Sequence, residues 1–142
     1  MSLDAPAWAL EFLASARVGR LATADAAGRP LVVPVCFVFD GARCYWAVDP
    51  KPKRTRELRR LRHIAENPRV ALVVDRYDED WTALRWVILE GAARVVDEAE
   101  TRHHALALLC DKYHQYRALG LATSDDAVVE IVPERVLAWR AT

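Results

Sequence analysis

The sequence predicts a mainly β, α+β fold: a six-stranded antiparallel β-barrel with helices packed outside it. Three observations point there. Six apolar, β-branched or aromatic runs are separated by turn residues. Most follow one another directly, whereas a doubly wound parallel sheet needs a helix at each crossover. Helical periodicity occurs in only three places. The chain has 142 residues, 53% of them hydrophobic, which suits one domain spanning 1–142 around a single core.

In chain order, Ala7 to Ala16 carries Trp8, Leu10, Phe12 and Leu13 without a breaker and reads as a short amphipathic helix. Strands follow at Val18 to Asp25 and Leu31 to Asp40, and Asp40-Gly41 is a hairpin dipeptide leading into "RCYWAV". Pro34 cannot donate to a ladder, which places that strand at an edge or a bulge. A helix over Thr55 to Glu66 is predicted from Leu58, Leu61 and Ala65, and Asn67-Pro68 stops it. "RVALVVD" reads as a buried strand, and Ala83 to Asp97 as one long strand bent at Gly91. Residues 98–118 form the longest predicted helix, with Leu106, Leu109, Tyr113 and Tyr116 on one stripe. "AVVEIVPERVLAWR" closes the barrel, with Pro133 interrupting its ladder.

Lys plus Arg equals Asp plus Glu at 20 each, so the molecule has no general attraction for nucleic acid or an anionic membrane. Three cysteines without C-x-x-C spacing argue against a disulfide framework or zinc ribbon and fit a reducing cytoplasm. No run approaches the roughly 20 apolar residues of a membrane span. There is no G-x-S-x-G, P-loop, G-x-G-x-x-G or H-E-x-x-H, so acyl transfer, nucleotide hydrolysis and zinc proteolysis get no support. If the protein is an enzyme, a cofactor carries the hard chemistry.

The local exception to neutrality is "DPKPKRTRELRRLRHIAENPRV" from Asp49. Lys51 and Lys53 lie in a proline-punctuated lead-in, and Thr55 is a natural N-cap. Two ammonium groups and free N–H groups therefore converge on a point suited to a phosphate. Arg56, Arg59 and Arg60 lie along the exposed side of the helix, where they would extend the positive field to a longer anionic ligand. The bland alternative is a solvated arginine face, with His63 in solvent. Nucleic-acid binding would need interleaved aromatics, and this helix has none. "VDRYDEDWTALRWV" puts Tyr77, Trp81 and Trp86 on a loop between strands, where the expected role is a subunit interface or a stacked ring ligand. His103, Cys110 and His114 fall on one side of the last helix without a carboxylate or a closed ligand set, so no metal site is expected.

"GRLATADAAGRPLVVPVCFVFDGARCYWAVDPKPKRTREL", "IAENPRVALVVD" and "VILEGAARVV" together resemble the pyridoxamine 5'-phosphate oxidase-like split-barrel flavoproteins, over about Phe12 to Asp97. The stretch from Asp49 to Val87 looks most like the actinobacterial branch that uses the deazaflavin coenzyme F420. The resemblance implies a homodimeric split barrel with cofactor in a groove at the subunit interface and a small organic substrate. It implies that Lys51 and Lys53 hold the phosphate with Arg54 and Thr55 adjacent. Leu21, Ala22, Thr23 and the strand Val33, Pro34 and Val35 would offer backbone to the ring, and Tyr77 and Trp86 would approach from the partner chain. FMN is the alternative cofactor. An FMN-dependent oxidoreductase and a non-catalytic flavin or F420 carrier are the alternative functions.

Overall fold

The computed structural model describes residues 3–48 and 58–142. Helix α1 (Ala7–Ser15) precedes strands β1 (Gly19–Ala24), β2 (Pro30–Val35), β3 (Val38–Phe39) and β4 (Cys44–Ala47). Helix α2 (Arg59–Glu66), β5 (Arg69–Arg76), β6 (Arg85–Val95), α3 (Ala99–Lys112), α4 (Gln115–Ala118) and β7 (Val128–Arg140) follow. One antiparallel sheet runs in the order β2-β1-β5-β6-β7-β4-β3.

The expected six strands are seven, because the run Leu31 to Asp40 breaks at Cys36 and Phe37. Its two halves lie at opposite ends of the sheet order. Three peptide links join Val35 to Val38, so their Cα atoms are at most roughly 11 Å apart. A seven-stranded sheet meets this limit only by curling until its first and last strands come together. The result is a barrel with one open seam between β2 and β3.

The seam is closed by side chains where a ladder would have closed it. The Phe37 N–H donates to Tyr113 Oη at 3.1 Å, and that hydroxyl lies 2.9 Å from the carbonyls of both Phe37 and Arg17. Lys112 Nζ donates to the carbonyls of Phe37 at 2.9 Å and Ala16 at 2.6 Å. These contacts answer the backbone groups of a buried residue that has no strand partner. They also coincide with the end of α3: Tyr113 is extended, with φ −120° and ψ 99°, and the single expected helix over 98–118 becomes α3 and α4.

Two clusters of apolar side chains hold the sheet. Inside the curl, Leu21, Phe37, Trp46, Leu72, Leu89 and Ile131 pack with Leu13 of α1 and Ile64 of α2. Outside β4 and β7, the predicted stripe Leu106, Leu109, Tyr113 and Tyr116 packs against Tyr45 and Val128. Beside this second cluster Glu130 is buried and accepts from Arg94 Nε at 3.0 Å and Tyr45 Oη at 3.2 Å. Burial, with Glu130 beside it, pushes the Tyr45 phenol up to about 12.

The punctuation residues do what their chemistry allows. Gly41 takes φ +99° in the turn after Asp40, whose carboxylate accepts from the N–H groups of Ala42 and Arg43. β2 is an edge strand, where the missing N–H of Pro34 is tolerated. The β6–β7 register slips between Glu90 and Gly91, opposite Pro133, which locates the expected bend. A Cβ on Gly91 would sit 2.2 Å from the Val132 carbonyl oxygen.

Candidate functional site

A cleft of about 160 Å³ opens at the barrel seam. Pro34, Val35 and Cys36 of the β2 edge form one wall, and Ala47 of β4 and Tyr116 of α4 form another. Val18 and Arg60 complete it. Polar and apolar surface share its lining about equally, and Arg60 is the cation among the described residues that form it. The guanidinium of Arg60 lies 5.2 Å from the ring centroid of Trp46, which holds it at the mouth of the barrel. Trp46 itself is 1% exposed, and its Nε1 has no hydrogen-bond partner among the described residues.

Two of the lining residues, Ala47 and Arg60, stand close in sequence to the two ends of the basic segment. Val48 follows Ala47 directly, and α2 brings Arg60 to the same wall. Residues 49–57, including the predicted phosphate residues Lys51, Lys53, Arg54 and Thr55, lie outside the described residues. Leu58 is extended, with φ −83° and ψ 134°, so α2 begins at Arg59, later than a Thr55 cap would start it.

The remaining predicted residues separate into three groups. Pro34 and Val35 line the cleft, and Val33 packs toward the interior on the same strand. β2 has β1 on one side only, so its outer row of backbone groups is free of the sheet ladder. Leu21 and Thr23 are buried inside the barrel, while Ala22 is half-buried on the outer surface. At Leu21 and Ala22 strand β1 is paired on both sides, with β2 and with β5, so its backbone there is already committed. Tyr77 is 63% exposed in the β5–β6 loop, and Trp86 faces Trp139 across β6 and β7. Neither lines the cleft of its own chain.

Some side chains expected in solvent are not there. His63 is buried, with Nδ1 3.0 Å from Thr23 Oγ1, because α2 lays that face on β1. Arg60, expected on the open side of the helix, lines the cleft. Cys110 is buried while His103 and His114 are exposed, so these three do not converge. Among the described residues no group of three or more His, Cys, Asp or Glu side chains is placed to hold a metal ion, and no helix is long and apolar enough to cross a membrane.

Cys44, near the seam, is fully buried, and that burial pushes its thiol up to about 12, so it stays protonated. Among the described residues no carboxylate or histidine lines the cleft, and its thiol and hydroxyl belong to Cys36 and Tyr116. The arrangement offers a ligand the Arg60 guanidinium and the open backbone edge of β2.

An antiparallel sheet curled into a barrel with an open seam is the architecture of the split-barrel flavoproteins. Residues 6–140 match the pyridoxamine 5'-phosphate oxidase family, and the chain belongs to it. It is 29% identical over 133 residues to the 5a,11a-dehydrotetracycline/5a,11a-dehydrooxytetracycline reductase of Streptomyces rimosus, covering 92% of this chain and 79% of that protein. In fold it resembles a conserved hypothetical protein of Mycobacterium tuberculosis, with TM-score 0.76 and 23% identity over 99% of this chain and 87% of the other. It also resembles a heme storage protein from Vibrio cholerae, with TM-score 0.74 and 21% identity over 99% and 95%.

Proposed function

We propose that the protein is an F420-dependent oxidoreductase that passes a hydride between the deazaflavin and a small organic substrate. The observation that carries this reading is the seam cleft. It combines an open strand edge with a guanidinium, and its lining residues Ala47 and Arg60 flank the lysine-bearing segment 49–57 in sequence. In this reading Lys51 and Lys53, with Arg54 and Thr55, hold the cofactor phosphate, and Val33 to Val35 face the ring. Bound F420 supplies the two-electron redox chemistry, and this chain supplies binding, orientation and exclusion of water. Kinship with a tetracycline-type reductase supports a reductive role on a conjugated substrate.

The same reading requires two copies. The cleft formed by the described residues, about 160 Å³, is smaller than the roughly 300–1,000 Å³ of ordinary ligand sites, which leaves room for a wall from a second chain. The outer sheet face is suited to this role. Ala71, Val73, Ile88 and Leu137 form an apolar row with Trp86 and Trp139 beside it, and Val32 and Trp139 are 61% and 44% exposed. Packing that face on a second copy would bring Tyr77 and Trp86 toward the partner's cleft.

Apoprotein titrated separately with F420 and FMN tests the cofactor. Saturable micromolar binding of F420, followed by oxidation of reduced F420 with an enone or quinone acceptor, is the expected result. Binding of FMN alone would move the protein to the FMN-dependent branch. Tight F420 binding without turnover on any acceptor would make it a carrier.

A further inference from the structure

We propose a second anion-binding site, at the end of the barrel where α1 packs, formed by Arg85 and Arg140 over the ring of Trp8. The inference is independent of the cofactor reading, since none of these residues lines the seam cleft.

The register sets the problem. Arg76 of β5 is paired with Arg85 of β6, and Arg85 with Arg140 of β7. Directly paired residues project from the same face, so three guanidinium groups share one row at one end of the sheet. Like charges so placed repel, and the usual remedy is an interleaved carboxylate. Arg76 has one, Asp78, at 3.9 Å. Among the described residues Arg85 and Arg140 have none within salt-bridge distance.

Two acids near the same strand end face other partners. Asp75 faces Arg20 at 3.9 Å, and Asp80 accepts from the N–H and hydroxyl of Thr82. What the two arginines share instead is an aromatic surface. The Arg140 guanidinium carbon is 4.9 Å from the Trp8 centroid, and that of Arg85 is 5.8 Å from the centroids of both Trp8 and Phe12. The rings hold the two forks in place without neutralising them. Arg85 Nε is moreover buried without a hydrogen-bond partner among the described residues, although a guanidinium out of water normally finds an acceptor. Two oriented forks on an apolar floor, with spare donors and no counter-charge, suit an oxyanion, either a carboxylate or a phosphate monoester.

The test uses the intact protein and reads intrinsic fluorescence during titration with sodium phosphate, and separately with sodium acetate, against sodium chloride at matched ionic strength. Saturation with either oxyanion, absent with chloride, is expected, and the arm that saturates at lower concentration identifies the ligand class. Trp8→Phe identifies the reporting ring by losing the signal. Arg140→Gln changes an exposed side chain, so the fold is expected to survive, with the midpoint moving on the order of tenfold and cofactor affinity unchanged. A response that tracks ionic strength alone, or an Arg140→Gln midpoint equal to that of the parent protein, would overturn the proposal.

Discussion

Tyr113 Oη meets both backbone polar groups of Phe37, accepting from its N–H at 3.1 Å and lying 2.9 Å from its carbonyl. Phe37 sits where the curled sheet fails to pair with itself, so one phenol replaces the ladder bonds that a closed barrel would have made. Tyr113→Phe keeps the ring and strands the Phe37 N–H in a buried place. It should cost about 1–3 kcal/mol, read as a lower midpoint in urea at unchanged slope. Stability within about 0.5 kcal/mol of the parent would show that the seam does not depend on this hydroxyl.

The lysine beside it gives a pH signature. Burial, reinforced by Arg17, pushes Lys112 from an ordinary value of 10.5 down to about 8. The folded chain therefore releases this proton before the unfolded chain does. Between those two values the unfolded state binds more protons, so the contribution of Lys112 to stability rises with pH and is flat below the lower one. Lys112→Met cannot titrate there. The difference in unfolding free energy between parent and variant should climb in the parent's favour across that window, and a difference independent of pH would contradict the placement.

Local chemistry made much of this fold legible. Asp40-Gly41 announces its turn, Pro34 its edge, Gly91 its bend, and the stripe from Leu106 to Tyr116 its buried face. What stayed hidden depends on contacts distant in sequence. "VCFVF" reads as continuous strand, because nothing within it shows that Tyr113, 76 residues further on, takes the polar groups of Phe37. His63 reads as solvated because the residue that answers it, Thr23, lies 40 positions earlier. Arg60 looked like its neighbouring arginines until the path of α2 past Trp46 singled it out. In the candidate site Pro34 and Val35, singled out by the proline and the family likeness, line the cleft. The committed backbone of β1 was not legible, since strand order decides which backbone edges stay free.

Thr23 separates an architectural role from a ligand contact. Its hydroxyl lies 3.0 Å from His63 Nδ1, with both residues buried. Thr23→Val should lower stability by about 1–2 kcal/mol and leave cofactor affinity as it was. A weakened cofactor with normal stability would return Thr23 to the ring.

Gly91 tests the bend in β6. An alanine there places its Cβ 2.2 Å from a backbone carbonyl oxygen, an atom that cannot move aside without shifting β7 at the bulge. Gly91→Ala should lose about 2–4 kcal/mol in chemical denaturation. Near-neutral behaviour would mean that the β6–β7 crossing is looser than described.

The central claim is that cofactor binds in the seam cleft, between the β2 edge, Arg60 and the lysines of 49–57. Dissociation constants for F420 should be measured for the parent, Arg60→Gln and the double variant Lys51→Ala/Lys53→Ala, with unfolding curves confirming that each is folded. Each removes a charge-assisted contact, so each should weaken binding on the order of tenfold at unchanged stability. Parent-like affinity in both folded variants would place the cofactor elsewhere and contradict the assignment.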